Sequence, residues 1–281
     1  MLHPKKTINC KGRLISLEKP LVMGILNVTP DSFFDGGRHA TIGQALKHTE
    51  KMLEEGAMFI DVGGMSSRPG APLLDVDVEM GRVVPVVEAL GQNFPDAIIS
   101  IDTFRSKVAI AAVEAGAHIV NDISAGRQDE FLFETVANLG VPYILMHMQG
   151  TPATMQASPQ YGDVVADVLD FFIQQVGELK QLGVKDILLD PGFGFGKTVG
   201  HNYQLLNNLH VFNMLELPVL AGISRKSMIC KVLGVKPENA LNGTTALHVI
   251  ALQQGAKILR VHDVKEAVET IQLWQQAETY A

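Results

Sequence analysis

A closed (β/α)8 barrel, the TIM-barrel architecture, is the fold class this sequence predicts, and three observations predict it. Apolar, strand-like runs alternate with helical stretches eight times along the 281 residues. No composition shift between them marks a linker. Polar residues gather where the apolar runs end, whereas the helix-to-strand junctions carry mostly Gly, Ala and Pro, as in Glu55-Gly56-Ala57, Ala115-Gly116-Ala117 and Gln254-Gly255-Ala256. Eight parallel strands each followed by a helix close into a barrel whose catalytic loops follow the strands. The competing architecture, an open doubly wound sheet, usually has fewer strands and one dominant Gly-rich turn. Residues 1–281 therefore read as one barrel domain, with 1–20 as an N-terminal hairpin extension.

The elements follow in order. Thr7 to Ser16 reads as a hairpin turned at Lys11-Gly12, placed to plug one end of the domain. Strand one is Leu21 to Thr29, and Pro30 breaks it into a polar loop with Asp31, Ser32, Asp35, Gly36-Gly37 and Arg38. A helix over Ile42–Glu55 ends at Gly56. Strand two, Met58–Gly63, opens into GMSSRPGAP, and a helix follows over Val76–Leu90. Then come strand three (Ala97–Asp102), a helix (Arg105–Ala115), strand four (His118–Ile123) and a helix near Glu130–Leu139. Strand five (Tyr143–His147) leads through a longer connection to the helix Asp163–Leu182. Strand six (Asp186–Asp190) ends in PGFGFGK, and a helix spans Tyr203–Leu215. Strand seven (Pro218–Ile223) ends in SRKS and is followed by helix to Leu252. Strand eight (Lys257–Val261) precedes the last helix, Val264–Ala277, where Asp263 and Glu266 stand in capping-box relation.

Composition bounds the function. With 47% hydrophobic and 19% charged residues the chain is globular with a large core. A net charge of −7 argues against a nucleic-acid binder. Cys10 and Cys230 make no metal-ligand spacing and suit a reducing cytosol, so a cytoplasmic location is expected. MLHPKKTIN has basic residues with no apolar run behind them, which is not a signal peptide. No apolar stretch reaches bilayer-spanning length.

The strand ends carry Asn27, Asp61 with Arg68, Asp102, Asn121 with Asp122, His147, Asp190, Ser224 to Lys226, and Arg260 with His262. A single Asp at a strand end is more often a cap or turn residue; eight polar ends on one rim are not explained that way. Asn27 is a neutral oxygen ligand suited to a hard cation or a phosphate-bearing ligand. Asp102 follows IISI and Asp190 follows ILL, so both sit at the mouth of an apolar interior, where an unpaired carboxylate is costly. Nothing in the sequence supplies a dedicated partner for each, and a donor-rich ligand is the natural one. Two acceptors with the Asn121 amide suit a planar heterocycle bearing an amidine-like N–H pair. Lys226 faces that ring's carbonyl, unless it is a solvated rim charge.

A second cluster is cationic. Arg68, Arg260 and His262, with the N–H groups at a helix start, suit phosphate, which barrels commonly hold near their last strands. His147 is expected to order the long loop after strand five. His201, His210 and His248 fall in helices as surface or packing residues. PGFGFGK lacks the spacing of a Walker loop; Phe193 and Phe195 are instead placed to wall an aromatic substrate.

Along nearly its whole length the chain resembles the dihydropteroate synthase family of the folate pathway. The segments that carry the likeness are GILNVTPDSFFDGG, DVGGMSSRPGA, SIDT, VNDISAG, LMHMQGTPATMQ, LDPGFGFGK, GISRKS and RVHDV. One departure is Ser67, where the family usually has threonine; its hydroxyl survives. The resemblance implies a barrel that joins (7,8-dihydropterin-6-yl)methyl diphosphate to 4-aminobenzoate and releases diphosphate, with Mg2+ assisting, in a homodimer. It implies that Asn27 touches metal and diphosphate, that Asp102, Asn121, Asp190 and Lys226 hold the pterin, and that Ser67, Arg68, Arg260 and His262 hold the diphosphate. Ser224, Pro69 and Phe195 would lie near the aminobenzoate. No nucleophile is needed for such a substitution, and no Ser-His-Asp or Cys-His arrangement is evident. Asp35 is placed to order its loop over the site or to assist the amine. A pterin-binding module serving a corrinoid partner shares the carboxylates but needs no diphosphate ligands, and another phosphate-site barrel needs neither carboxylate. Each rival lacks one of the two clusters.

Overall fold

The β-branched runs become strands and the Gly-stopped amphipathic runs become helices. The structure, a computed structural model, describes residues 5–28, 37–65, 73–151, 154–155 and 159–280, the side chains of 37–41 excepted. Strands β3 (Leu21–Asn27), β4 (Phe59–Gly63), β5 (Ile98–Asp102), β6 (Ile119–Asp122), β7 (Tyr143–Met146), β8 (Ile187–Asp190), β9 (Leu220–Ala221) and β10 (Ile258–Val261) pair in parallel in the order β8-β7-β6-β5-β4-β3-β10-β9. The ring is closed between β8 and β9 by the bridge of Leu189 to Val219, where Leu189 N donates to Pro218 O at 2.9 Å. Strand β9 is shorter than its apolar run because Pro218 has no N–H to give to a ladder.

Helices α1 (Gly37–Glu54), α2 (Val76–Asn93), α3 (Ser106–Glu114), α4 (Leu132–Leu139), α5 (Val164–Gln181), α6 (Val199–Asn207), α7 (Ser227–Leu233), α8 (Leu241–Gln253) and α9 (Val264–Thr279) surround the ring. Both faces of the strands are thus covered, which is why they read as continuous apolar runs. Helix α1 begins at Gly37, so Gly37 and Arg38 belong to a helix and not to the loop before it. The helix expected over 203–215 divides into α6 and a 3-10 segment, Leu209–Leu215. His201 packs its ring edge-on against Tyr161 at 4.9 Å and does more besides: with Thr198 it forms the capping box that starts α6. The capping box expected at α9 is absent, because both carboxylate oxygens of Asp263 accept from Arg225 at 2.7 Å.

An antiparallel hairpin, β1 (Thr7–Cys10) with β2 (Arg13–Ser16), turns at Lys11 and Gly12, both at positive φ. Its Ile8, Cys10, Ile15 and Leu17 pack against Met23, Phe59, Ile98, Ile119, Ile144, Leu188, Leu220 and Ile258, one residue from each barrel strand. The hairpin is therefore the plug at the N-terminal end of the barrel. Burial pushes the Cys10 thiol up to about 12, so it is an inert packing group.

Candidate active site

The barrel interior changes character within one pleat. Side chains on a strand alternate in direction, so residues two further along from that apolar layer also face inward. On β4, β5, β6, β8 and β10 those positions are Asp61, Ser100, Asn121, Asp190 and Arg260. Two residues higher stand Asn27, Asp102 and His262. The polar mouth is thus made by a period-two switch repeated on neighbouring strands.

The charges in it are joined. Arg260 donates from Nε to Asp61 Oδ2 at 2.6 Å and from a terminal nitrogen to Asp102 Oδ2 at 2.7 Å. Asn121 Nδ2 donates to the same Asp61 oxygen at 2.9 Å. The sequence reading left Asp102 and Asp190 without partners; the structure corrects this for both. Asp102 has Arg260. Asp190 accepts the Gly192 N–H at 2.8 Å. A Cβ on Gly222 would lie 3.6 Å from both Asp190 Oδ2 and Lys226 Nζ, so a glycine there makes room for the pair.

Burial raises the Asp102 carboxyl to about 7, with Arg260 pulling the other way and Asp61 adding to the rise. Asp190 is also raised by burial, against the pull of Lys226. Burial lowers Lys226 to about 8, opposed by Asp190. Burial works against the Arg260 charge too, but Asp61 and Asp102 overcome it and its pKa is raised. Lys226 is not a solvated rim charge: Nζ donates to Phe193 O and lies 4.7 Å from the Phe195 ring centroid.

His262 sits on the exposed rim, and burial of its inner side with Arg260 beside it holds its imidazole below the ordinary range. Its backbone N–H donates to Ser224 Oγ at 3.2 Å, and that hydroxyl lies 3.0 Å from Nδ1. Ser224 Oγ and His262 Nδ1 thus share one hydrogen bond, whose donor is set by the imidazole tautomer.

The apolar wall is Phe104, Ile123, Met146, Met148, Met155 and Phe195, with Met65 packed on it. Methionine adapts to a flat ring. Phe193, in contrast, is fully buried in the strand–helix core and walls no substrate. Behind Phe195, Lys197 donates to His147 Nδ1 at 3.0 Å and to the carbonyls of His147, Gly192 and Phe195. Gly192 has φ +69°, and a Cβ there would meet His147 O, so only glycine fits. His147 therefore orders the loops after β7 and β8, as expected.

Asp31, Ser32, Asp35, Ser67, Arg68 and Pro69 lie outside the described residues. Three described residues carry weight that sequence reasoning did not give them. Asp61 was seen as a strand end but given no ligand or partner. Lys197 was read only as the end of a glycine-rich stretch. Arg225, at φ 55° and clamped by Asp263 and by the carbonyls of Pro237 and Glu238, turns the chain so that Lys226 follows into the mouth. Period-two reading of FIDVGG could have found Asp61; nothing local marks the other two.

For a metal, Asn27 is the available oxygen. A Cβ on Gly63 would lie 3.7 Å from Asn27 Oδ1 and from Asp102 Oδ2, so amide and carboxylate flank one open notch. Among the described residues no group of three or more His, Cys, Asp or Glu could hold a metal ion. One amide oxygen fits a Mg2+ that keeps waters and takes its other ligands from a substrate phosphate.

The pterin binding enzyme family model matches residues 23–262. A dihydropteroate synthase of Escherichia coli (strain K12) is 50% identical over 265 residues, 94% of this chain and 93% of the relative. The Yersinia pestis dihydropteroate synthase solved with a sulfonamide drug complex superposes with a TM-score of 0.92 at 47% identity, covering 97% of this chain and 99% of that one. The Xanthomonas albilineans dihydropteroate synthase in complex with 7,8-dihydropteroate gives 0.87 at 41% identity, covering 97% and 98%.

Proposed function

The chain belongs to the dihydropteroate synthases of the pterin-binding enzyme family, and from that premise we propose how its residues divide the work. The family condenses (7,8-dihydropterin-6-yl)methyl diphosphate with 4-aminobenzoate to give 7,8-dihydropteroate and diphosphate. Asp102, Asn121, Asp190 and Lys226 bind the pterin edge: carboxylates accept its N–H groups, and the ammonium donates to its carbonyl. The observation that carries this reading is the gathering of those four around Arg260 at the polar mouth of the barrel.

The substitution is SN1-like. The methylene–oxygen bond breaks with its electron pair leaving on diphosphate, and the electron-rich ring delocalises the cation beside Asp102 and Asp190. The amine nitrogen then attacks the methylene carbon and loses a proton. Arg260 and the imidazole of His262 face the departing anion, with Ser67 and Arg68 joining them, and Asp35 orders its loop or assists the amine. Preorganised donors aimed at developing charge are the main source of rate here. Asn27 is the residue that would hold Mg2+, which when bound neutralises part of the diphosphate charge. Ser224, Phe195 and Pro69 form the aminobenzoate side, the subsite a sulfonamide would share.

The family likeness supports a homodimer, and exposed Val232 and Leu233 on α7 offer apolar surface for it. It also supports a cytoplasmic location; among the described residues no helix is long and apolar enough to cross a membrane. The test is a product assay with both substrates and magnesium. Pteroate formation that needs the diphosphate ester and falls with Lys226→Met is the expected result; a folded protein that binds pterin but makes no product would overturn it.

A further inference from the structure

Asp61 makes none of the substrate contacts described above, yet two of the contact residues meet on it. It is fully buried. Its Oδ2 accepts from Arg260 on β10 and from Asn121 on β6, while Oδ1 is buried without a partner among the described residues. One carboxylate oxygen on β4 thus ties together strands that lie on either side of it in the ring.

We propose that Asp61 is a positioning residue that locks the pterin-facing amide of Asn121 and the anion-facing guanidinium of Arg260 into one hydrogen-bonded unit. The proposal rests on the reading of the site given above. With one N–H of Asn121 committed to Asp61, the amide cannot flip, and its Oδ1 is left as the acceptor on the other arm. With Nε on Asp61 and a terminal nitrogen on Asp102, the guanidinium plane is fixed at two of its edges. Neither bond would otherwise be enforced: Asn121 and Arg260 come from strands separated by β5, β4 and β3. A buried carboxylate with an unmatched oxygen is costly to the fold. At the neighbouring inward position of β3 an isoleucine, Ile25, fills the same layer without that cost.

The test is Asp61→Ala, which removes both bonds and the charge, with Asp61→Leu, close to the aspartate in shape and also without an acceptor, as the second variant if the first does not fold. Two probes are titrated by calorimetry: a pterin lacking diphosphate, and inorganic diphosphate with magnesium. We expect a folded protein in which both probes bind at least tenfold more weakly. We also expect the acid limb of pterin binding to move to lower pH, because the Asp61 charge is one of the influences that hold the Asp102 carboxyl up. In an Arg260→Ala background the Asp61 change should cost diphosphate binding almost nothing further, since the group it positions is gone. Unchanged affinity for both probes, an unmoved acid limb, or an equal loss with and without Arg260 would overturn the proposal. If Asn121→Ala and Arg260→Ala themselves leave both probes unaffected, it is the site reading that fails. If those two weaken binding and Asp61→Ala does not, only the positioning role fails.

Discussion

Arg260 and Asp102, to which the proposed function assigns opposite ends of the substrate, hold each other at 2.7 Å across the barrel mouth. The pair makes their roles inseparable. Arg260→Ala should lower turnover by roughly a hundredfold or more, about 3 kcal/mol for a lost transition-state contact to the leaving group. It should also weaken a pterin lacking diphosphate, because Arg260 is what pulls the Asp102 carboxyl down against its burial. Without the guanidinium, Asp102 stays protonated to higher pH and offers the ring an O–H where an acceptor is wanted. Turnover and bare-pterin calorimetry on the variant check this; bare-pterin affinity equal to that of the parent at neutral pH would show that the pair is incidental.

Asp190 gives a cleaner probe of the pterin edge. It has the Gly192 N–H and the neighbouring Lys226 to hold it, and among the described residues it makes no hydrogen bond to Arg260 or His262. Asp190→Asn keeps its size but turns one acceptor into a donor facing the ring's N–H pair. An unmatched buried donor costs on the order of 1–3 kcal/mol, so pterin affinity should drop by that amount while inorganic diphosphate binds as before. Equal losses for both ligands would instead indicate a general collapse of the mouth.

The barrel was legible because its signals are local and repeated. Apolar runs, Gly-stopped helices such as the one ending at Gly140, and the Lys11-Gly12 turn each announce themselves within a few residues. So were the inward strand-end residues, since period two and an abrupt polar residue mark Asp102 and Asp190. What sequence could not supply is who pairs with whom: Arg260 and Asp61 are 199 residues apart, and only ring closure brings them together. The same holds for Arg225 with Asp263, which displaced an apparently good capping box. Phe193 and Phe195 stand two apart in one glycine-rich stretch, but the turn at Gly194 (φ +84°) sends one to the core and the other to the mouth.

Metal binding should depend on the leaving group. Asn27 brings one neutral oxygen, and Mg2+ with a single neutral protein ligand is weakly held. Diphosphate would supply the anionic oxygens. Calorimetric titration of magnesium alone should therefore show little heat, and adding diphosphate should tighten the apparent affinity more than tenfold. Asn27→Ala should abolish that gain while leaving bare-pterin binding intact. Tight magnesium binding to the protein alone would remove Asn27 from the metal reading.

Pterin affinity should follow a bell-shaped curve with pH, and the sign of each limb is set by the group that titrates. Asp102 must be a carboxylate to accept from the ring, and burial holds its carboxyl at about 7. As pH falls through that value the proton returns and the acceptor is lost, so affinity falls on the acid side. Lys226 must be an ammonium to donate to the ring's carbonyl, and burial lowers it to about 8. As pH rises through that value the charge is lost, so affinity falls on the alkaline side. The two groups share a pocket with Asp190 and Arg260, and the limbs therefore belong to the coupled set as a whole. Asp102→Asn should flatten the acid limb and Lys226→Met the alkaline limb, each leaving the other in place. Bare-pterin calorimetry across the range checks both; a flat profile in the parent protein would mean that neither group titrates in contact with the ring.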